Sequence, residues 1–225
     1  MAELLSGAAR EERRDAVGDL GAAMRELVDA CVRTEVDAAE LAAVAAGARE
    51  LAARLRVGGR GLLDVAAVDD PVAGERWYSP VYGPGSPVAP PLTVEAEGGG
   101  RVTARVTVPK AHEGPPGLTH GGTIATLLDH VLARALRSAG RGGLTATLTV
   151  TYRRPVRLGV EHLLVAEVGE LDGRRSTARA RIVAADDPDT VLAEGEGLFV
   201  ALRPEAAAST FAGVSHAPEA WTARP

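Results

Sequence analysis

Residues 113–136 read EGPPGLTHGGTIATLLDHVLARAL, and both the fold and the chemistry of the chain turn on this stretch. A Gly/Pro turn leads into His120, Gly121 and Gly122, where the missing glycine Cβ lets a ligand come close to the backbone. A helix then starts. Its first N–H groups lack intrahelical partners and sit at the positive end of the dipole, so they can hold an oxyanion as it develops on a carbonyl. Further along, Ile124, Leu127, Leu128, Val131 and Leu132 surround Asp129, the only carboxylate between Gly121 and Leu136. A lone acid among apolar neighbours is costly to bury unpaired, which marks it as a candidate functional group. The combination points to acyl chemistry.

The spacing of these residues bears on assembly. His120 and Asp129 are nine positions apart, a rotation of about 180° and an advance of about 13–14 Å on a helix. One copy of the helix cannot easily bring both to one substrate. Two copies side by side, the start of one facing the acid of the other, would make two equivalent sites across a twofold axis.

Outside the helix, residues 101–108 (RVTARVTV) place Val102, Ala104, Val106 and Val108 on one face of a strand. Four more segments of strand character follow: 145–152, 161–168, 176–184 and 191–201. Their boundaries are turn-forming: Gly142-Gly143, Pro155 with Leu158-Gly159, Asp172-Gly173, and the run at 186–189. Consecutive strands with short connections predict an antiparallel meander, and a single long helix must pack on one face of it. The expected class is α+β, a curved antiparallel sheet wrapped around one long helix.

The ordered set EGPPGLTHGGTIATLLDHV, LTATLTVTYRRPVRLG, DGRRSTARA and AEGEGLFVAL resembles the hot-dog fold acyl-CoA thioesterases of the PaaI type. Within that type it is most similar to the subgroup with EGPPG before HGG, which includes mitochondrial long-chain acyl-CoA thioesterases. The resemblance covers residues 92–202. It implies that the Gly121 N–H polarises a thioester carbonyl, and that His120 orients the turn or the substrate. Asp129 would come from the opposite subunit as general base or nucleophile, and Thr145 would position the water. Gly122 belongs to the substrate-binding turn. Many enzymes of this type carry Asn six residues before the His, where this chain has Gly114; the EGPPG subgroup shares the glycine.

Plainer readings stand beside these. A histidine at a helix start is often structural. Thr145, Thr147, Thr149 and Thr151 would make a polar strand face with no catalysis at all, and only the resemblance singles out Thr145. His130 follows Asp129 directly and points about 100° away from it on a helix. His112 precedes the turn and is expected to face solvent. Five His and one Cys show no zinc-type spacing, so no metal is expected. No G-x-S-x-G elbow is present. Arg153-Arg154 and Arg174-Arg175 fall in loops where guanidinium groups would hold the phosphates of coenzyme A, brought as part of the substrate rather than as a cofactor. A net charge of −5 argues against a nucleic-acid surface.

Residues 1–58 read as a helical extension. Val17, Leu20, Met24, Leu27, Val28, Cys31 and Val32 make one stripe, and Leu41, Val44, Ala48, Leu51 and Leu55 a second, with a break at 34–37. A helical hairpin that covers the domain or extends the dimer is expected; a coiled coil is the alternative, although the stripe is short and Ala-rich for one. Residues 59–91 form a Pro/Gly-rich connector in which Trp77, Tyr78 and Tyr82 either anchor the chain or line an acyl channel. Residues 203–225 read as a mobile tail. No signal-like or membrane-spanning run occurs. With a single cysteine, a cytoplasmic setting is expected, and the Ala/Arg/Gly-rich composition points to a bacterial source. The expected function is thioester hydrolysis on acyl-CoA or an acyl carrier protein, by a homodimer or a dimer of dimers. The alternatives are recruited hydration, dehydration or cyclisation of a thioester-linked intermediate, or non-catalytic acyl binding.

Overall fold

The computed structural model describes residues 4–215. The glycine-flanked apolar run forms helix α3 (Gly121–Ser138), with α1 (Gly7–Arg33) and α2 (Ala38–Arg56) before it and α4 (Pro204–Thr210) after the sheet. Six strands make one antiparallel sheet: β1 (Thr93–Gly98), β2 (Arg101–Thr107), β3 (Leu144–Tyr152), β4 (Glu161–Asp172), β5 (Arg175–Ala184) and β6 (Val191–Val200), in the order β1-β2-β4-β5-β6-β3. Among the described residues no helix is long and apolar enough to cross a membrane.

The alternation read along the chain decides which faces meet. Val102, Ala104 and Val106 point inward from β2, and Leu164, Ala166, Ala178 and Ile182 from β4 and β5. Onto them α3 lays Ile124, Leu127, Leu128, Val131, Leu132, Ala135 and Leu136. Burying side chains of this size gains about 1.5–3 kcal/mol each, which makes this seam the main source of stability. β6 allows the close approach: a Cβ on Gly195 would stand 3.2 Å from Leu128 Cβ.

The strand order differs from a simple meander. β4, β5 and β6 are consecutive neighbours, but β3 lies beyond β6 as the edge strand. The chain between β3 and β4 has to pass the start of α3 to reach β2. It does so through buried Val156, with the Val156 carbonyl accepting from Thr119 N at 2.8 Å and Leu158 N donating to Gly117 O at 3.1 Å. β4 also runs past the expected residue 168 to Asp172, through a bulge between Val168 and Leu171, and β1 pairs with β2 as a strand not read from the sequence.

The connector is held from both sides. A Cβ on Gly21 would fall 2.1 Å from Pro84 O, so α1 lies directly on the connector backbone. Arg14 donates to Val68 O and Glu75, with its guanidinium over Trp77. On the inner side Tyr82 stacks on His130 at 4.4 Å, and Arg137 donates to Gly74 O. Trp77 and Tyr82 therefore act as anchors. By contrast α2 buries no residue, so α1 and α2 do not close into a packed hairpin. In the stretch expected as a mobile tail, residues 204–210 are helical, Ala207 is buried and Ser215 Oγ accepts from Val65 N; the contacts exist because residues 63–65 of the connector lie alongside. The rest of that stretch, 216–225, lies outside the described residues.

Candidate active site

The EGPPG turn is fixed by its own acid. Glu113 accepts from Lys110 Nζ at 2.6 Å and from Gly117 N at 2.7 Å, and these two contacts hold its carboxyl below the ordinary carboxylate range. Gly117 has φ +77°, open to glycine at no steric cost. At Gly114 a Cβ would stand 2.8 Å from His120 Cα, so this turn closes only with glycine there.

Accounting for the donors at the start of α3 singles out one of them. His120 is the N-cap: its Nδ1 accepts from Gly122 N at 2.9 Å, which puts the ring proton of the neutral form on Nε2. Its carbonyl accepts from Thr123 N and Ile124 N. Gly121 N–H is left with no acceptor among the described residues. The same peptide is pinned from behind, because Tyr152 Oη donates to Gly121 O at 3.0 Å. Gly121, Ile124, Leu118, Tyr152 and Arg154 line an open cavity of about 380 Å³. Tyr152 was not foreseen; as the last residue of β3 its role depends on where that strand ends in space.

Eight residues on, Asp129 is half-buried and accepts from Thr145 Oγ1 at 2.8 Å. The structure thus brings Asp129 and Thr145 together, at the start of β3, while Gly121 meets the last residue of the same strand. α3 and β3 run antiparallel, so the start of the helix at Gly121 and its middle at Asp129 both face β3. The half-turn offset expected from His120 does not apply, because His120 is extended at φ −61° and ψ 136° and the helix is counted from Gly121. What separates Gly121 from Asp129 is length, about 12 Å of helix.

The two arginine pairs lie at opposite ends of the sheet. Tyr152, next to Arg153, pairs with Ala193, whereas Leu144 pairs with Val200 and Val200 with Arg175. The intervening eight residues of β3 span about 26 Å, so one chain does not gather all four arginines round one phosphate group. Arg153 and Arg154 line the cavity beside Gly121, with Arg153 also paired to Glu194 at 2.7 Å. Arg174 donates to Ala201 O, and Arg175 opens β5.

The other histidines fall outside this geometry. His130 turns away from Asp129 onto Tyr82. Burial, with Arg134 and Arg137 nearby, pushes it down to about 3. His112 is partly buried rather than solvent-facing: its carbonyl accepts from His120 N at 2.9 Å, and burial lowers its pKa. Among the described residues no group of three or more His, Cys, Asp or Glu is placed to hold a metal ion.

The family model of the thioesterase superfamily matches residues 116–191, from the turn before α3 to the first residue of β6. A solved crystal structure of a thioesterase superfamily protein is 34% identical, with a TM-score of 0.73, and the match covers 88% of this chain and 97% of that one. The chain belongs to the thioesterase superfamily. Its six-stranded sheet wrapped on α3 is the hot-dog fold. The relatives named as acyl-coenzyme A thioesterases match a shorter stretch. THEM4 of Xenopus laevis is 37% identical over 92 residues, 41% of this chain and 41% of that protein. Human acyl-coenzyme A thioesterase 13 is 32% identical over 79 residues, 34% of this chain and 56% of that protein. The chain therefore spans about two fifths to just over half of those relatives. Within the thioesterase superfamily match lie Gly121, Asp129, Thr145 and all four loop arginines.

Proposed function

We propose that two copies of this chain form a thioester hydrolase acting on acyl-CoA or an acyl carrier protein conjugate. The observation that carries the reading is the free Gly121 N–H at one end of β3 and the Asp129–Thr145 pair at the other, both beside an unpaired strand edge. β3 is nine residues long, uncharged and mostly exposed. Edge strands that stay single carry charges, prolines or bulges against pairing; β3 has one irregularity, between Thr145 and Thr147, but no charge or proline, and a long uncharged edge is a template for another strand. Antiparallel pairing of two β3 edges about a twofold axis puts the Gly121 end of one copy beside the Asp129 end of the other. The axial gap within one chain then becomes a short distance between chains.

In this reading the thioester carbonyl oxygen accepts from Gly121 N–H, and negative charge gathers there as the carbon becomes tetrahedral. Thr145 donates to Asp129, and its oxygen keeps a lone pair with which to orient the water. Asp129 of the second copy takes a proton as the water oxygen bonds to the carbonyl carbon. Collapse of the oxyanion breaks the C–S bond, the thiolate leaves, and Asp129 returns the proton, giving carboxylic acid and free thiol. Asp129 as nucleophile, through an anhydride opened by water, gives the same products. The same pairing carries Arg174 and Arg175 of one copy toward Arg153 and Arg154 of the other, so the phosphates of coenzyme A would be held across the interface.

Free-thiol release across acyl-CoA chain lengths, aryl-CoA esters and carrier-protein thioesters tests the reading. Release of thiol with equimolar acid is the expected result. Binding without release, or thioester products that keep the thiol, would overturn it.

A further inference from the structure

Helix α2 carries an apolar seam that none of the described residues covers. Leu41, Val44, Ala48, Leu51 and Leu55 recur at alternating steps of three and four, the a/d pattern of a coiled coil, and every one of them is exposed. Their exposure is 47% at Leu41, 42% at Val44, 48% at Leu51 and 56% at Leu55, although α2 is well formed, with Asp37 capping Glu40 N at 2.9 Å. We infer that α2 pairs antiparallel with α2 of a second copy of this chain.

Three features of the sequence around the seam select this occupant. In the antiparallel register Leu41 packs on Leu51 of the other copy and Val44 on its Ala48, four apolar layers in all, while Leu55 lies at the end of the seam opposite the N-cap Asp37. The flanking positions are then Ala38, Ala45 and Ala52 on one side and Glu40, Gly47 and Arg54 on the other. Glu40 falls opposite Arg54 of the second copy, twice by symmetry, and neither has an ion-pair partner within its own chain among the described residues. A parallel pair would set Glu40 and Arg54 against alanine flanks and leave both charges single. Gly47 comes at the centre, near its own symmetry mate. A glycine inside a helix is unfavourable compared with alanine, and a Cβ there would meet nothing within its own chain; close approach of a second backbone gives it a use. Antiparallel packing also opposes the helix dipoles favourably.

A helix of this length does not hold a partner alone, so the seam acts as a clasp on copies already brought together, where the effective concentration is high. The inference rests on the pairing of copies in the proposed function, but its test reads linkage and not turnover, so failure of the clasp is told apart from failure of the catalytic reading. In a Cys31→Ser background, chains with Val44→Cys and chains with Ala48→Cys are mixed, treated with a short bis-maleimide, and the linked peptides identified by mass spectrometry. The expected product is the mixed 44–48 link, well above either self-link. Glu40→Arg should lower its yield several-fold, and adding Arg54→Glu should restore it. Self-links at 44 and 48 in excess would mean a parallel pair and overturn the register. Links from either position to the body of a chain, or no links while circular dichroism shows α2 intact, would overturn the clasp.

Discussion

Helices α2 and α3 are nearly equal in length, 19 and 18 residues, and both carry an apolar stripe at helical spacing, yet α3 buries seven residues and α2 none. The difference lies in what each meets. α3 follows a glycine-rich turn that delivers it to the concave face of the sheet, where β6 glycines admit it closely; α2 follows a four-residue break that carries it away from any face. Periodicity states that a stripe wants a cover. It does not state which surface supplies one. The same distinction runs inside α3, whose buried face holds the fold together while its flank toward β3 carries Gly121 and Asp129.

The largest expected effect falls on that flank. Asp129→Asn keeps the size and the contact with Thr145 but removes the base, and should lower turnover by about 100-fold or more. Gly121→Pro removes the free N–H at a first-turn position that tolerates proline, with an expected loss of about 100- to 1,000-fold. Mixing and refolding the two inactive variants should recover activity, since a mixed pair has one intact site. Heterodimers that form and stay inactive would sink the shared site.

Next comes the contrast between the two stripes. Leu128→Ala should destabilise the body by about 2–5 kcal/mol in chemical denaturation, as a buried leucine truncated in a close-packed core. Leu51→Ala should leave the unfolding of the body within about 0.5 kcal/mol of the parent, as for an exposed position. Equal effects would mean that α2 packs on the body in solution.

The connector-facing side of α3 has its own signature. His130 titrates near 3 when folded and near 6.5 when unfolded, so its neutral form is the one the fold accommodates. Its contribution is fully present above pH 6.5 and is lost as pH falls from there toward 3, with a slope of at most about 1.4 kcal/mol per pH unit. His130→Phe keeps a ring against Tyr82 and should flatten this part of the profile, with the parent losing more stability between pH 6.5 and 4. Parallel profiles would show that His130 is protonated without cost.

Smaller effects fall at the Gly121 end of β3. Arg153→Ala with Arg154→Ala should raise KM for acyl-CoA, and less so for pantetheine thioesters that lack the nucleotide; equal changes would assign these arginines to the fold. Tyr152→Phe removes one hydrogen bond to Gly121 O and should lower kcat by about 2- to 10-fold with KM little changed. No change in kcat would mean the His120 cap alone holds the turn.

Local patterns were enough to place most of the elements. The alternation of Val102, Ala104 and Val106 marks β2, the run from Gly121 marks α3, and the Asp172-Gly173 turn marks the β4–β5 hairpin, because each depends on neighbours in sequence. β1 escaped because it is short and only Val94 among its six residues packs toward the core, so the run carries little apolar pattern. In the site, Asp129 stood out as a lone acid and the HGG turn as a helix start. Tyr152 did not, since nothing along the chain says that the end of β3 reaches the first turn of α3.

What the sequence determined by itself is therefore periodicity, turn chemistry and the isolated acid, which together specify one helix, a set of strands and their likeness to the thioesterase superfamily. Only the tertiary structure decided that β3 leaves the meander for the sheet edge, that Gly121 and Asp129 share the flank facing that edge, and that the arginine pairs sit at opposite ends of the sheet. It also decided that the aromatic connector is clamped between α1 and α3 while α2 stands free. The physical reason is one of range. Backbone propensity and side-chain alternation act over a few residues, whereas edge position, donor accounting and the covering of an apolar stripe are settled by segments tens of residues apart competing for the same surface.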